Sequence, residues 1–155
     1  MQFSVREDIE GPLDRVFAEM SDIEAIERAA MRRGVEVSRI DTGETTGPGM
    51  TWQIAFRYRG RQREARIEMT EYAPPHRMAC HSVSGGLEID TAVDFVALSR
   101  TRTRIAMDVD LKPRTLSARL LVQSLKLARG SIEKRLKARS ADFARDLEAR
   151  VKRAG

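Results

Sequence analysis

The chain has 155 residues, 41% of them hydrophobic and 33% charged, with a formal net charge of +5. That length suits one domain with a sizeable core, and the composition excludes a disordered chain. No run approaches the twenty or so apolar residues of a membrane span. Cys80 is the single cysteine, so an internal disulfide and a multi-thiolate metal site are excluded, and neither metal nor cofactor is expected. Aromatics at 5% are too few for a broad base-stacking platform, so no nucleic-acid partner is expected. The opening Met1-Gln2-Phe3-Ser4 lacks the basic-then-apolar pattern of a signal peptide, which makes a cytoplasmic location the expectation.

Charge is unevenly spread. Residues 1–30 hold eight acids and three bases, a net −5, whereas residues 112–139 hold nine bases and one acid, a net +8. The basic stretch reads first as a solvated helix face and second as a surface for an anionic partner.

In chain order, Phe3, Val5, Glu7 and Ile9 alternate with Ser4, Arg6 and Asp8, the period of a half-buried strand. Gly11-Pro12 breaks it, and Pro12 opens a short helix that buries Leu13, Val16, Phe17 and Met20. Ser21 to Glu24 has capping-box spacing and predicts a second helix from about Asp22 to Arg33, with Ile23, Ile26, Ala30 and Met31 inward. A strand is expected over Val35 to Asp41 and a loop over Thr42–Gly49. Trp52, Ile54, Phe56 and Tyr58 then take one strand face. Gly60 turns the chain into a return strand through Ala65, Ile67 and Met69. Pro74-Pro75 ends that strand. Three more follow, at Arg77–Val83, Leu87–Leu98 and Thr103–Leu111, divided by Gly85-Gly86 and Ser99-Arg100. After Pro113 the period becomes helical. Leu116, Leu121, Leu125, Ala128, Ile132, Leu136, Phe143, Leu147 and Val151 predict one long helix with a single apolar stripe and a weak point at Gly130.

The order strand, two short helices, six strands and long helix resembles the START-like superfamily, also called SRPBCC. Local features sit at matching places: the opening from Phe3 to Asp22, the Gly47-Pro48-Gly49 loop, Pro74-Pro75, and the Gly85-Gly86 hairpin. Within it the chain is similar to the small bacterial single-domain branch of polyketide cyclases/dehydrases and lipid-transport-like proteins. The resemblance spans essentially the whole chain but carries no catalytic signature. It implies a single α+β domain over residues 1–155 with a helix-grip fold: a seven-stranded curved antiparallel sheet wrapped around the C-terminal helix. It also implies an apolar cavity between the two. Monomer and homodimer both fit.

The expected cavity walls are Trp52, Ile54, Phe56, Tyr58, Ile67, Met69, Met78, Thr91, Val93 and Met107 from the strands, with Leu121, Leu125 and Ala128 from the helix. Methionine's flexible thioether suits a pocket for variable apolar ligands. Tyr58 and His81 are the groups that could move a proton, if they face inward. Cys80 and His81 are adjacent in a strand and point to opposite faces, so they form no nucleophile–base pair. Glu64, Glu68, Glu88, Asp90 and Asp94 fall on the outer face, opposite Arg57, Arg66, Arg102 and Arg104. Three functions follow. The first is binding of a lipid-like or aromatic small molecule without chemistry. The second is a cyclase or aromatase using an inward Tyr or His. The third is an interaction module, or one for anionic membrane surfaces, using the basic helix.

Overall fold

A computed structural model describes residues 1–41, 43 and 46–154; Thr42, Glu44 and Thr45 of the expected loop lie outside the described residues. The order is β1 (Gln2–Glu10), α1 (Leu13–Met20), α2 (Ile23–Arg32), β2 (Glu36–Arg39), β3 (Thr51–Tyr58), β4 (Arg61–Ala73), β5 (Arg77–Ser84), β6 (Leu87–Ser99), β7 (Arg102–Pro113), α3 (Leu116–Leu127) and α4 (Arg129–Ala154). All seven strands form one antiparallel sheet, ordered β1-β7-β6-β5-β4-β3-β2. This is the expected helix-grip arrangement. Strands β2 to β7 are a meander of sequential neighbours. α1 and α2 carry the chain from β1 to the opposite edge, and β7 returns to pair with β1.

Local chemistry explains the turns. Arg59 and Gly60 both have positive φ, 54° and 75°, between the paired residues Tyr58 and Arg61. A two-residue turn of that kind matches the right-handed twist of its strands. At Gly86 the constraint is space. A Cβ there would lie 2.0 Å from Thr115 Oγ1 and 2.7 Å from Thr115 Cβ. The β5–β6 hairpin therefore packs directly on the start of α3, where Thr115 Oγ1 accepts from Ala118 N at 3.2 Å. Bulges at Met69/Glu71 and Ala97/Ser99 bend the sheet, and the first returns Tyr72 to the inner face three residues after Met69.

Two expectations are corrected. The cap of α2 is Asp22, accepting from Ala25 N at 3.2 Å, because Ser21 is already engaged in closing α1. The long C-terminal helix is present as α4, but the first part of its predicted stripe forms a separate helix, α3. Ala128 leaves helical geometry at φ −98°, ψ 12°, and its N–H donates back to Leu125 O. This break lets α3 bury Ala118 and Val122 against β7 while α4 buries Ala144, Leu147 and Val151 elsewhere.

The inner face of the sheet holds two packed clusters. Ile9, Phe95, Ile105 and Met78 meet Val16 and Phe17 of α1 and Ala144, Leu147 and Val151 of α4. Met50, Trp52 and Met69 pack with Ile23, Val37, Ile54, Ile67, Tyr72 and Cys80 toward the β2 edge. The outer face carries cross-strand ion pairs. Arg104 binds Asp8 of β1 at 2.9 Å, and Lys112 binds Asp90 at 2.7 Å. Arg102 and Arg104 thus pair with β1, not with the β6 acids as expected. Those acids find His81, Arg77, Lys112 and Arg114 instead.

Candidate functional site

Strand parity sets what can face the helices. Phe3, Val5, Glu7 and Ile9 of β1 lie opposite Val109, Met107, Ile105 and Thr103 of β7, all on the inner side. α4 crosses over β1; its buried residues, Ala144, Leu147 and Val151, all lie in its second half, and a gap runs beside the first. The gap is a cavity of about 680 Å³, walled by Val5, Ile9, Met20, Val93, Ile105, Met107, Leu136 and Phe143. Glu7, Ser140, Arg33, Arg139, Asp142 and Asp146 supply its polar groups. A second cavity of about 240 Å³ shares Val5, Met107 and Leu136 with the first. Phe3, Val109, Leu111, Leu125 and Ile132 extend its wall toward α3. The larger volume falls within the usual range for small-molecule pockets.

Among these polar groups Glu7 links the two walls. Its Oε1 accepts from Ser140 Oγ at 2.8 Å, across the cavity from β1 to α4. The Ser140 hydroxyl also lies 3.0 Å from Lys137 O, and its one hydrogen serves a single acceptor at a time. Glu7 therefore keeps free acceptor capacity toward the cavity. A carboxylate so placed can bind a ligand hydroxyl or amine, or take a proton.

The structure distributes the expected lining residues unevenly. Val93 and Met107 line the larger cavity, and Met107 and Leu125 the smaller. Met78 is packed in the core under α1 and α4. Trp52, Ile54, Ile67 and Met69 belong to the second packed cluster, where Trp52 Nε1 donates to Glu27 Oε2 at 3.0 Å. Phe56 is half-buried opposite Arg63. Thr91 pairs with Cys80 on the inner face. Leu121 is half-buried, whereas Ala128 is exposed at the helix break.

Tyr58 shares the inner parity but sits at the end of β3, 42% exposed, with the Arg59 and Arg63 guanidiniums 5.3 and 6.0 Å from its ring. Arg63 Nε is buried with no hydrogen-bond partner among the described residues, and the Tyr58 ring offers it partial compensation. His81 faces the opposite side of the sheet. Its Nδ1 donates to Asp90 Oδ1 at 2.6 Å, and Glu88 lies 3.7 Å from Nε2. It cannot reach a ligand in the cavity. Cys80 faces inward, and burial pushes its thiol above the usual range, away from the reactive thiolate.

Sequence reasoning centred the pocket under the aromatic hairpin and missed Glu7, Leu136, Ser140 and Phe143. One signal for Glu7 was legible: an acid at an inward position of an otherwise apolar alternation. Another groove, of about 650 Å³, has Glu71, Arg77, Asp90, Asp108 and Asp110 as its charged lining. Arg77 bridges Glu71 and Asp94, Asp90 is held by Lys112 and His81, Asp108 accepts from Ser4 Oγ, and Asp110 lies 3.8 Å from the N-terminal amine.

No protein-family model and no curated protein sequence matches the chain. Solved structures do share its fold. A norcoclaurine synthase of Thalictrum flavum, solved with a transition-state analogue, superposes with a TM-score of 0.69 at 12% identity, covering 99% of this chain and 95% of that one. TTHA0849 of Thermus thermophilus gives 0.66 at 16% identity, covering 100% and 99%. The Zhui aromatase/cyclase of Streptomyces sp. R1128 gives 0.64 at 13% identity, covering 99% and 94%. The likeness is one of helix-grip architecture over the full chain.

Proposed function

We propose that this chain is a START-like protein that binds a hydrophobic small molecule, lipid-like or aromatic, between the sheet and α4. The observation that carries the reading is the cavity of about 680 Å³ and its apolar extension of about 240 Å³. Apolar walls supply affinity by releasing ordered water, and a few polar groups orient the ligand. Here the orienting groups are Glu7 and Ser140. That proteins of this fold include an aromatase/cyclase and a norcoclaurine synthase supports an aromatic or polyketide-like ligand. Leu136 touches both cavities and lies outside the two packed clusters, so Leu136→Trp fills the space with little cost to the core. The native chain is expected to take up N-phenylnaphthylamine with enhanced fluorescence, and Leu136→Trp to lose that signal with its circular dichroism unchanged. Equal uptake by both proteins would put the ligand elsewhere.

A second reading is a cyclase or aromatase. Glu7 favours it, as a carboxylate that can take a proton from a ligand in an otherwise apolar space. Glu7→Gln is then expected to lower turnover of a polyketide substrate by about 10²- to 10⁴-fold, the usual worth of a general base. Unchanged turnover in the Gln variant would leave binding alone.

A further inference from the structure

The most exposed apolar side chains of the molecule lie together on α3. Leu116, Leu120 and Leu127 are 72%, 63% and 92% exposed. At ~100° per residue they fall within about 40° of one another, on the side away from the buried Ala118 and Val122. Isolated exposed leucines are ordinary, but a helical stripe of three marks an interaction surface. Along the chain its charges are of one sign. From residue 111 to residue 132 the chain has five bases and no acid. Lys112, Arg114 and Arg129 are paired with Asp90, Glu88 and Glu133. Arg119 and Lys126, both exposed, have no acidic partner among the described residues and flank one edge of the stripe. On the reverse side of the helix, Leu125 forms part of the wall of the smaller cavity.

We propose that α3 docks lengthwise on an anionic membrane surface, with Leu116, Leu120 and Leu127 among the acyl chains and Arg119 and Lys126 at the head groups. Charge decides between a bilayer and a second copy of the chain. A two-fold contact through this stripe brings Arg119 and Lys126 near their own copies, with no acid on either helix to meet them. An anionic bilayer meets both the leucines and the bases. Docked this way, the wall between bilayer and apolar cavity is one helix thick, and that helix ends at the Ala128 break.

The test is co-sedimentation with phosphatidylcholine vesicles, with and without phosphatidylserine at about one lipid in three. The native chain is expected to bind the phosphatidylserine vesicles and to be released by raised salt. The double variant Leu120→Glu, Leu127→Glu is expected to lose binding at least ten-fold. Arg119→Gln and Lys126→Gln are each expected to weaken it about five-fold, the worth of one base near an anionic surface. All four positions are exposed, so circular dichroism and dye uptake should stay native, which keeps this test separate from that of the cavity. Failure to bind phosphatidylserine vesicles, or binding unchanged in the double variant, would overturn the proposal. So would a dimer in light scattering that the double variant dissolves while vesicles are ignored.

Discussion

Glu7 occupies an inward position of β1 between Val5 and Ile9, where the strand's alternation calls for an apolar side chain. A half-buried carboxylate met by one shared hydroxyl costs stability, and such costs gather at functional sites. Glu7→Leu is therefore expected to raise the melting temperature, by about 2–4 °C per kcal/mol gained in a chain of this size. It should also weaken binding of ligands that offer a hydroxyl or amine. A lower melting temperature, measured calorimetrically, would mean that the Ser140 bond is structural. Gly86 is the opposite case, a residue fixed by space. Gly86→Ala pushes a methyl into Thr115 and is expected to cost roughly 1–3 kcal/mol in urea unfolding, the usual penalty of overpacking. His81 shows what parity decides. One position along β5 separates the inner Cys80 from an outer histidine tied to Asp90.

Among the elements, the α3–α4 pair departs most from its sequence pattern. The stripe from Leu116 through Leu125 and Ala128 to Val151 reads as one helix, yet the helix breaks at Ala128, and Leu116 and Ala128 end up exposed. Gly130 stands in the first turn of α4 with a negative φ and open space where a Cβ would lie. Gly130→Ala is expected to stabilise the fold by roughly 0.5–1 kcal/mol, read from the urea midpoint. The strands of the outer face carry the acid sensitivity. Asp90 is held below its ordinary carboxylate range by Lys112 and then His81, Glu88 by Arg114, and Asp8 by Arg104. Asp41 is held lower still by Arg39 and the Thr51 N–H. A depressed carboxylate stabilises the fold above its ordinary range, and that contribution is lost as pH falls through its folded value. The melting temperature is expected to fall on acidification below about pH 4. Asp41→Asn should lower it at neutral pH and flatten its slope below about pH 4. An unchanged slope would assign the acid sensitivity to the other carboxylates.

At the scale of the whole molecule, the grip closes at one end and opens at the other. Leu147 is fully buried where α4 meets α1 and the sheet. Leu147→Ala is expected to cost about 2–5 kcal/mol, as deletions of buried leucines do. That cost should appear as a lower urea midpoint with one cooperative transition. About one turn earlier on α4, Phe143 is 45% exposed at the cavity. Toward the β2 edge the concave surface is filled by the packed cluster of Met50, Trp52 and Met69, on which Ile23 of α2 packs and where Glu27 accepts from the indole N–H. The larger cavity is therefore on the β1–β7 side.

The sequence by itself determined the seven strands, their meander order, the two short helices and the helical C-terminus. Periods of 2 and 3.6, with Gly and Pro between them, are local signals that the chain carries without its fold. Parity also named an inner face and put Cys80 and His81 on opposite sides. Only the tertiary structure decided which half of that face is filled and which is open. Trp52 and Met107 have the same inward parity, yet α2 covers one and α4 stands off from the other. Helix placement over a sheet depends on contacts between residues far apart in the chain, and no periodicity records them. Under β1 and β7 that leaves the larger cavity, with Glu7 among its lining residues.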